Sequence, residues 1–315
     1  MRAFHSLPES LSAMRAPRRP EWPTIALAIV IYGGWLALTW WWEAVPFLGL
    51  CVAGGWLVAW QSSLQHEVMH GHPTRSRRIN DAVGWPPISL WLPYPIYRAS
   101  HLRHHRDEHL TDPIEDPESV YLRQADWDRL GGFVRAVLRF NMTLVGRLTI
   151  GPAIMIFGFL ATELGALARG EGTAARRAGR RVWAQHALGV AAVLVWVVGV
   201  CGMPFWLYFV AFVYVGAALS RLRSFAEHRF AEKHEERTAI VERGGLFGLL
   251  YLHNNLHVLH HLRPHVPWYE LPGLYRAERE ALVNHNGGLV YAGYVDVARR
   301  FFLRAHDNPR HPKAS

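Results

Sequence analysis

The chain has 315 residues, half of them hydrophobic, and only 19% are charged, where a soluble domain carries about 25%. Its 34 Lys and Arg outnumber 25 Asp and Glu for a net charge of +9. Nearly all of these cations are Arg flanking apolar runs, which argues against a nucleic-acid binder and for a membrane protein beside anionic lipid. The two cysteines, Cys51 and Cys201, lie in or beside apolar runs and exclude a thiolate metal site or a disulfide framework.

Residues 1–23 hold Arg15, Arg18 and Arg19, then Pro20 and Pro23. No small-residue cleavage pattern follows the next apolar run, so they read as a cytosolic N-terminal segment and not as a signal peptide. Four runs of 19 residues are long enough to span a bilayer: Thr24–Trp42, Leu48–His66, Val182–Val200 and Pro204–Leu222. The links Glu43–Phe47 and Cys201–Met203 are so short that the runs must pair as two helical hairpins. Both links lack Lys and Arg, whereas the N-terminus, the stretch 70–181 and everything after 221 are Arg-rich, with Arg176, Arg177, Arg180 and Arg181 directly before the third run. The positive-inside rule then puts both termini and the long middle segment in the cytosol, as for a multi-pass protein of a bacterial inner membrane.

Two further apolar segments differ from these. Trp85–Tyr97 holds Pro86, Pro87, Pro93 and Pro95, is too short and broken to span, and reads as a re-entrant or interfacial piece. Ile150–Ala168 is long enough, but Thr162 and Glu163 interrupt it, and it is read as an interfacial amphipathic helix. The expected fold class is an all-α membrane protein: two transmembrane helical hairpins (four spans) with a cytosolic helical cap. Residues 24–275 form the membrane unit and 276–315 a cytosolic C-terminal segment.

Three histidine clusters lie on this frame: His66-Glu-Val-Met-His70, His101-Leu-Arg-His104-His105 and His257-Val-Leu-His260-His261. Positions i, i+3 and i+4 share one helical face, so each cluster can aim its imidazoles at one point. The topology, read without the histidines, puts all three on one side of the membrane. His228, just past the fourth run, lies at the depth of His66 and His70 and is a ninth candidate ligand. His253 is one turn before His257 and is an alternative ligand. His109 is left as an outer partner or surface residue. Asp112, Glu115 and Asp116 follow the second cluster and are candidates to accept the second N–H of a ligated imidazole. Asn254 and Asn255 could hold a water or backbone group behind the third. The isolated His5, His186, His234, His285, His306 and His311 read as surface or packing residues.

Imidazole suits Zn, Cu, Fe and Ni. A single zinc needs four protein ligands, or three if catalytic. Nine histidines over-supply one zinc and suit two redox metals with open positions for O2. A rival reading is that His66-Glu67-Val68-Met69-His70 matches the HExxH zinc-protease signature, with Glu67 as general base. It lacks an Asp-Gly pair for the usual third ligand and leaves both HxxHH clusters unexplained. A non-catalytic metal carrier would not need two such shells.

On these motifs the chain resembles the membrane fatty acid desaturase family, with its related hydroxylases and ketolases. That family carries an HxxxH or HxxxxH box, an HxxHH box and a final HxxHH box around two transmembrane hairpins. The matching residues are His66 and His70, then His101, His104 and His105, then His257, His260 and His261. The resemblance runs from about residue 24 to 275. It implies that His228 fills the place of a further ligand after the fourth span. The family often has Asn before that histidine; here Glu227 stands there, which raises Glu227 as an outer partner or direct ligand. The stretch Leu262-Arg-Pro-His-Val-Pro-Trp-Tyr-Glu-Leu-Pro also resembles bacterial desaturases, and no residues remain for a fused cytochrome b5-like domain.

The resemblance implies an O2-dependent non-heme di-iron oxidoreductase, most simply a fatty acid (acyl-lipid) desaturase. Its partners would be a lipid-like substrate, O2, membrane lipids and a separate electron carrier of ferredoxin, rubredoxin or cytochrome type. Hydroxylation or ketone formation on a lipid or carotenoid is the alternative, since the two outcomes differ only in the fate of the carbon radical. Trp85, Trp91, Tyr94 and Tyr97 could line the substrate's way in or simply anchor the interface.

Overall fold

The computed structural model describes residues 19–105, 107–169 and 173–314; the segment 1–18, with His5, lies outside them. The chain is mostly helical. In order it runs through α1 (Trp22–Trp40), α2 (Phe47–Met69), α3 (Arg77–Gly84), α4 (Tyr94–His104), α5 (Gln124–Asp128), α6 (Gly132–Asn141), α7 (Leu144–Thr149) and α8 (Gly151–Arg169). Helix α9 (Thr173–Leu194) continues into a wider π-wound stretch to Val200. After the turn, α10 (Phe205–Tyr208), a π-wound stretch Phe209–Tyr214 and α11 (Val215–Glu227) make one rod. Strand β1 (Ile240–Arg243), α12 (Gly245–Leu250), α13 (His257–Leu262), α14 (Leu271–His285), strand β2 (Val290–Gly293) and α15 (Tyr294–Phe301) follow. The two strands pair in parallel, Ile240 opposite Val290 and Arg243 opposite Gly293. The position 275/276 falls inside α14, and the chain beyond it returns to the body: Val145 N–H donates to the Phe302 carbonyl and Leu122 N–H to that of Pro309.

Helix is the form that satisfies every backbone polar group in lipid. Proline stands only where a helix tolerates it, Pro23 in the first turn of α1 and Pro46 just before α2. Helix α2 and the rod 205–227 approach closely because small residues face each other. A Cβ at Gly55 would collide with Val215, and one at Gly216 would stand 2.7 Å from Val58. Such small-residue seams let membrane helices gain dispersion contact. The seam joins the two helices that end at His66–His70 and at His228.

Among the described residues five helices, not four, are long and apolar enough to cross a membrane: α1, α2, Gly151–Ala168, Arg177–Val200 and Phe205–Glu227. The fifth is α8, expected as an interfacial helix. Thr162 does not break it, because its hydroxyl donates back to the Gly158 carbonyl at 2.9 Å. Helix α2 also continues beyond the expected His66, so His66 lies within it and His70 forms its C-cap.

The proline-rich stretch wedges between helices as an irregular inserted segment. The Tyr208 hydroxyl donates to the Ile88 carbonyl at 2.6 Å, and His186 Nε2 donates to the Leu90 carbonyl at 2.9 Å. Gln61 and Gln65 donate to the carbonyls of Pro86 and Gly84 at 3.0 and 2.7 Å. Irregular backbone at this depth is tolerable only when side chains satisfy it in this way. Its end, from Tyr94, is already the first turn of α4, the helix that carries the second box.

Candidate metal centre

Each histidine is delivered by a helix end. His66 and His70 come from the last turn and cap of α2, His101, His104 and His105 from the end of α4, His228 from the residue after α11, and the third box from α13. All nine converge, and they do so as two groups. His66, His70, His101, His105 and His260 form one, and His104, His228, His257 and His261 the other, with the ligating atoms of each group within 4.8 Å of one another. The groups abut through His105 and His261, whose rings stack at 4.4 Å.

The division within the boxes follows from helical rotation. Residues i and i+4 lie 40° apart around a helix and i+3 lies about 60° to the other side. On α4 the pair His101 and His105 aims at the first group and His104 at the second. On α13 the pair His257 and His261 aims at the second group and His260 at the first. Both short helices therefore straddle the two groups in opposite senses.

Behind the rings stand acceptors that fix the tautomers. His104 Nδ1–H donates to Asp116 at 2.7 Å and His101 Nδ1–H to Glu118 at 2.8 Å. His257 Nδ1–H donates to Asn254 Oδ1 at 3.2 Å, with Glu227 Oε1 at 3.4 Å, and His228 Nδ1–H reaches the Arg237 carbonyl at 3.3 Å. With Nδ1 protonated, the neutral ring keeps only a lone pair at Nε2. Yet the Nε2 atoms face each other: His104 to His228 at 3.0 Å, His257 to His228 at 2.8 Å and His70 to His101 at 3.0 Å. Between His257 and His228, whose Nδ1 protons are both committed, lone pair meets lone pair at 2.8 Å, which is repulsive, and a cation between them turns the repulsion into coordination. His66 Nε2 is buried with no hydrogen-bond partner. The donor set thus fits metal ions in both groups, and imidazole alone is the ligand chemistry offered.

Electrostatics agree. Burial first, and the neighbouring imidazoles second, push His105 down to about 2 and His228 to about 3. Burial also pulls on His104, but Glu118 and Asp116 overcome it and hold this ring up to about 9. Two carboxylates there favour positive charge, which a cation on Nε2 would supply. Burial raises Glu118, yet His104 and His101 outweigh it and keep the carboxyl well below its usual range.

The other candidates separate. Asp116 stands behind His104, while Asp112 caps its own turn through the N–H groups of Ile114 and Glu115, and Glu115 pairs with Arg103. Glu227 belongs to neither histidine group; it accepts from Asn254 Nδ2 at 2.7 Å and lies 3.4 Å from Arg223 Nε. His253 stacks on Trp268 away from both groups. His109 is exposed. His311, an isolated histidine, is buried against Tyr121 and Phe230. Asn255 donates to the Val241 carbonyl and holds backbone only. Glu67, between His66 and His70 in sequence, points elsewhere, accepting from Trp268 N at 3.0 Å. It does not sit in the position of a general base beside the two histidines. Glu118 and Arg223 went unread in the sequence; Glu118 follows Asp116-Pro117 and was within reach of the same reasoning that selected Asp116.

A polyhistidine centre at one end of a bundle of membrane-length helices is the class of site defined here. The fatty acid desaturase family profile matches residues 40–293, most of the chain, and the protein belongs to that family. It is accordingly a membrane oxidoreductase of desaturase type, in a family of iron-using enzymes. No individually curated protein matches it.

Proposed function

We propose that this protein is an O2-dependent di-iron desaturase that introduces a C=C bond into the acyl chain of a membrane lipid, using electrons from a separate carrier. The observation that supports it best is the convergence of nine imidazoles in two groups, with the Nε2 atoms of His257 and His228 facing one another at 2.8 Å and their Nδ1 protons already committed. His66, His70, His101, His105 and His260 would hold one iron, and His104, His228, His257 and His261 the other. Two such irons, when bound, supply the O2 activation and the removal of hydrogen from an unactivated C–H bond. The chain's own residues do the rest. Asp116, Glu118 and Asn254 hold the outer imidazole protons and fix ring orientation. Leu64, Val68, Met69 and Leu252 pack together around the end of α2 and keep water from it.

Four crossings with α8 embedded from one side keep His66, His104, His228 and His260 on the same face, and a fifth full crossing would not. Both ends of α8 point to this. Thr149 just before it accepts from Tyr214 at mid-rod, and Gly179 of α9 lies against Leu167 beside the basic run Arg177–Arg181. The site and both termini are then cytosolic by the Arg distribution.

The test is to supply membranes containing the full chain with reductant, with and without O2, and to weigh the acyl products. A product two mass units lighter, formed only with O2 and lost in His104→Ala and His260→Ala, is expected. A product sixteen units heavier would reassign the protein as a hydroxylase.

A further inference from the structure

Away from the nine histidines, three more ligating side chains meet. Glu21 caps the start of α1, Glu67 lies in the last turn of α2, and His72 sits in the loop that leaves α2. All three are buried, and one ligand atom from each lies within 4.8 Å of the others. His72 Nδ1 is fixed on Glu21 Oε1 at 2.7 Å. Its Nε2 faces Glu67 Oε1 at 3.8 Å, beyond hydrogen-bond reach, and has no partner although the ring is only 1% exposed. Metal–oxygen and metal–nitrogen bonds of about 2.0–2.2 Å put two ligand atoms on one ion some 3–4 Å apart; His72 Nε2 and Glu67 Oε1, at 3.8 Å, have that spacing, and a Glu21 ligand atom lies within 4.8 Å.

From this we infer that Glu21, Glu67 and His72 form a third cation site, separate from the histidine boxes, that takes a divalent transition metal of the zinc type. The mixed carboxylate–imidazole set suits such an ion, and a divalent charge neutralises both carboxylates. The role is structural. Glu21 N–H donates to the Pro73 carbonyl, Thr24 Oγ1 donates to Glu21 Oε2 at 3.4 Å, and Trp268 bonds both Glu67 through its backbone and Thr24 through its indole at 3.2 Å. The ion would clip the start of α1 to the end of α2 and to the segment that trails the third box. It stands independently of the desaturase reading.

The test uses the full chain in detergent, first loaded anaerobically with Fe2+ until uptake stops, then exposed to Zn2+ and washed. The wild type is expected to keep a further zinc with its iron undiminished and to unfold at a higher temperature for it. Glu21→Gln and His72→Gln should lose the zinc and its thermal shift while keeping the iron. Equal zinc in wild type and variants, or none in the wild type, overturns the proposal. Should the variants not fold, X-ray absorption of the wild-type zinc decides: one imidazole with oxygen donors supports the site, and an all-imidazole shell places the zinc in the histidine groups and overturns it.

Discussion

Asp116→Asn isolates the contribution of the carboxylate behind His104. Asp116 is buried, with its side chain 3% exposed, and it accepts three bonds: His104 Nδ1 at 2.7 Å and Glu118 N at 2.9 Å on Oδ1, and Thr111 N at 2.8 Å on Oδ2. Asparagine keeps the shape but offers one oxygen and one NH2. Whichever way the amide turns, one side of it meets a donor. A hydrogen bond to a charged acceptor contributes about 1.5–3 kcal/mol. At about 1.4 kcal/mol per tenfold, iron affinity of the second group should fall about 10–100-fold, the range seen for partners behind metal-bound imidazoles. Anaerobic Fe2+ titration against a competing chelator measures this, with thermal unfolding to separate loss of the loop from loss of the ligand. Glu118→Gln provides the internal comparison. Its side chain is 28% exposed and carries one bond to His101, so solvent screens it and the loss should be smaller. Asp116→Asn with wild-type iron affinity, or a larger loss in Glu118→Gln, would refute the reasoning.

Four further outcomes follow from the same geometry. Gly55→Leu drives a side chain into Val215, a clash of the kind that costs about 1–3 kcal/mol; melting temperature and iron content should fall together, while Gly33→Leu, with open space around it, changes neither. Glu67→Gln should retain O2- and reductant-dependent turnover because its carboxylate faces His72; peptide cleavage indifferent to O2, abolished by this change, would restore the protease reading. Reporter fusions at residues 75, 175 and 310 should register the cytosol and those at 44 and 202 the far side; opposite sides for 120 and 235 would mean that α8 crosses fully. In metal-free protein, His105 and His228 stay neutral down to about 2 and about 3, whereas unfolded imidazole titrates near 6.5. Their stabilisation is complete above about 6.5 and is lost as pH falls toward 3. His104, held up to about 9, acts in the opposite sense only between about 6.5 and 9. A melting temperature that rises as pH falls below about 6.5 would contradict this.

The nine imidazoles were legible because helical spacing and Arg placement are both written locally. Their partition was not. Nothing in HxxHH says which of its members turns toward which neighbour; that depends on where α4 and α13 come to rest against α2. Glu67 shows the same limit. It shares a helix with His66 and His70, yet one residue of rotation, about 100°, carries it to another face. Glu21 and His72 are 51 positions apart and have no spacing signature at all. In the sequence Thr162 and Glu163 both interrupt the apolar run of α8; the Thr162 hydroxyl, returned to its own helix, costs little, and no local pattern shows that return. The wedge at 85–91 is legible from its prolines, but the glutamine that satisfies its Pro86 carbonyl comes from α2, a partner no local pattern names.

The opposed straddling of the two HxxHH helices has a consequence for how the centre is assembled. Helix α13 has 6 residues and α4 only 11, and helices this short have little stability by themselves. An ion captured by either group fixes the rotation of both helices, since each contributes to both. The remaining group is then already oriented, and its ordering cost has been met by the first event. Loading should therefore be cooperative, passing from empty to doubly occupied with little of the singly loaded form. By the same coupling, a flaw at one histidine should weaken the neighbouring ion too, so that the pair is gained and lost as a unit.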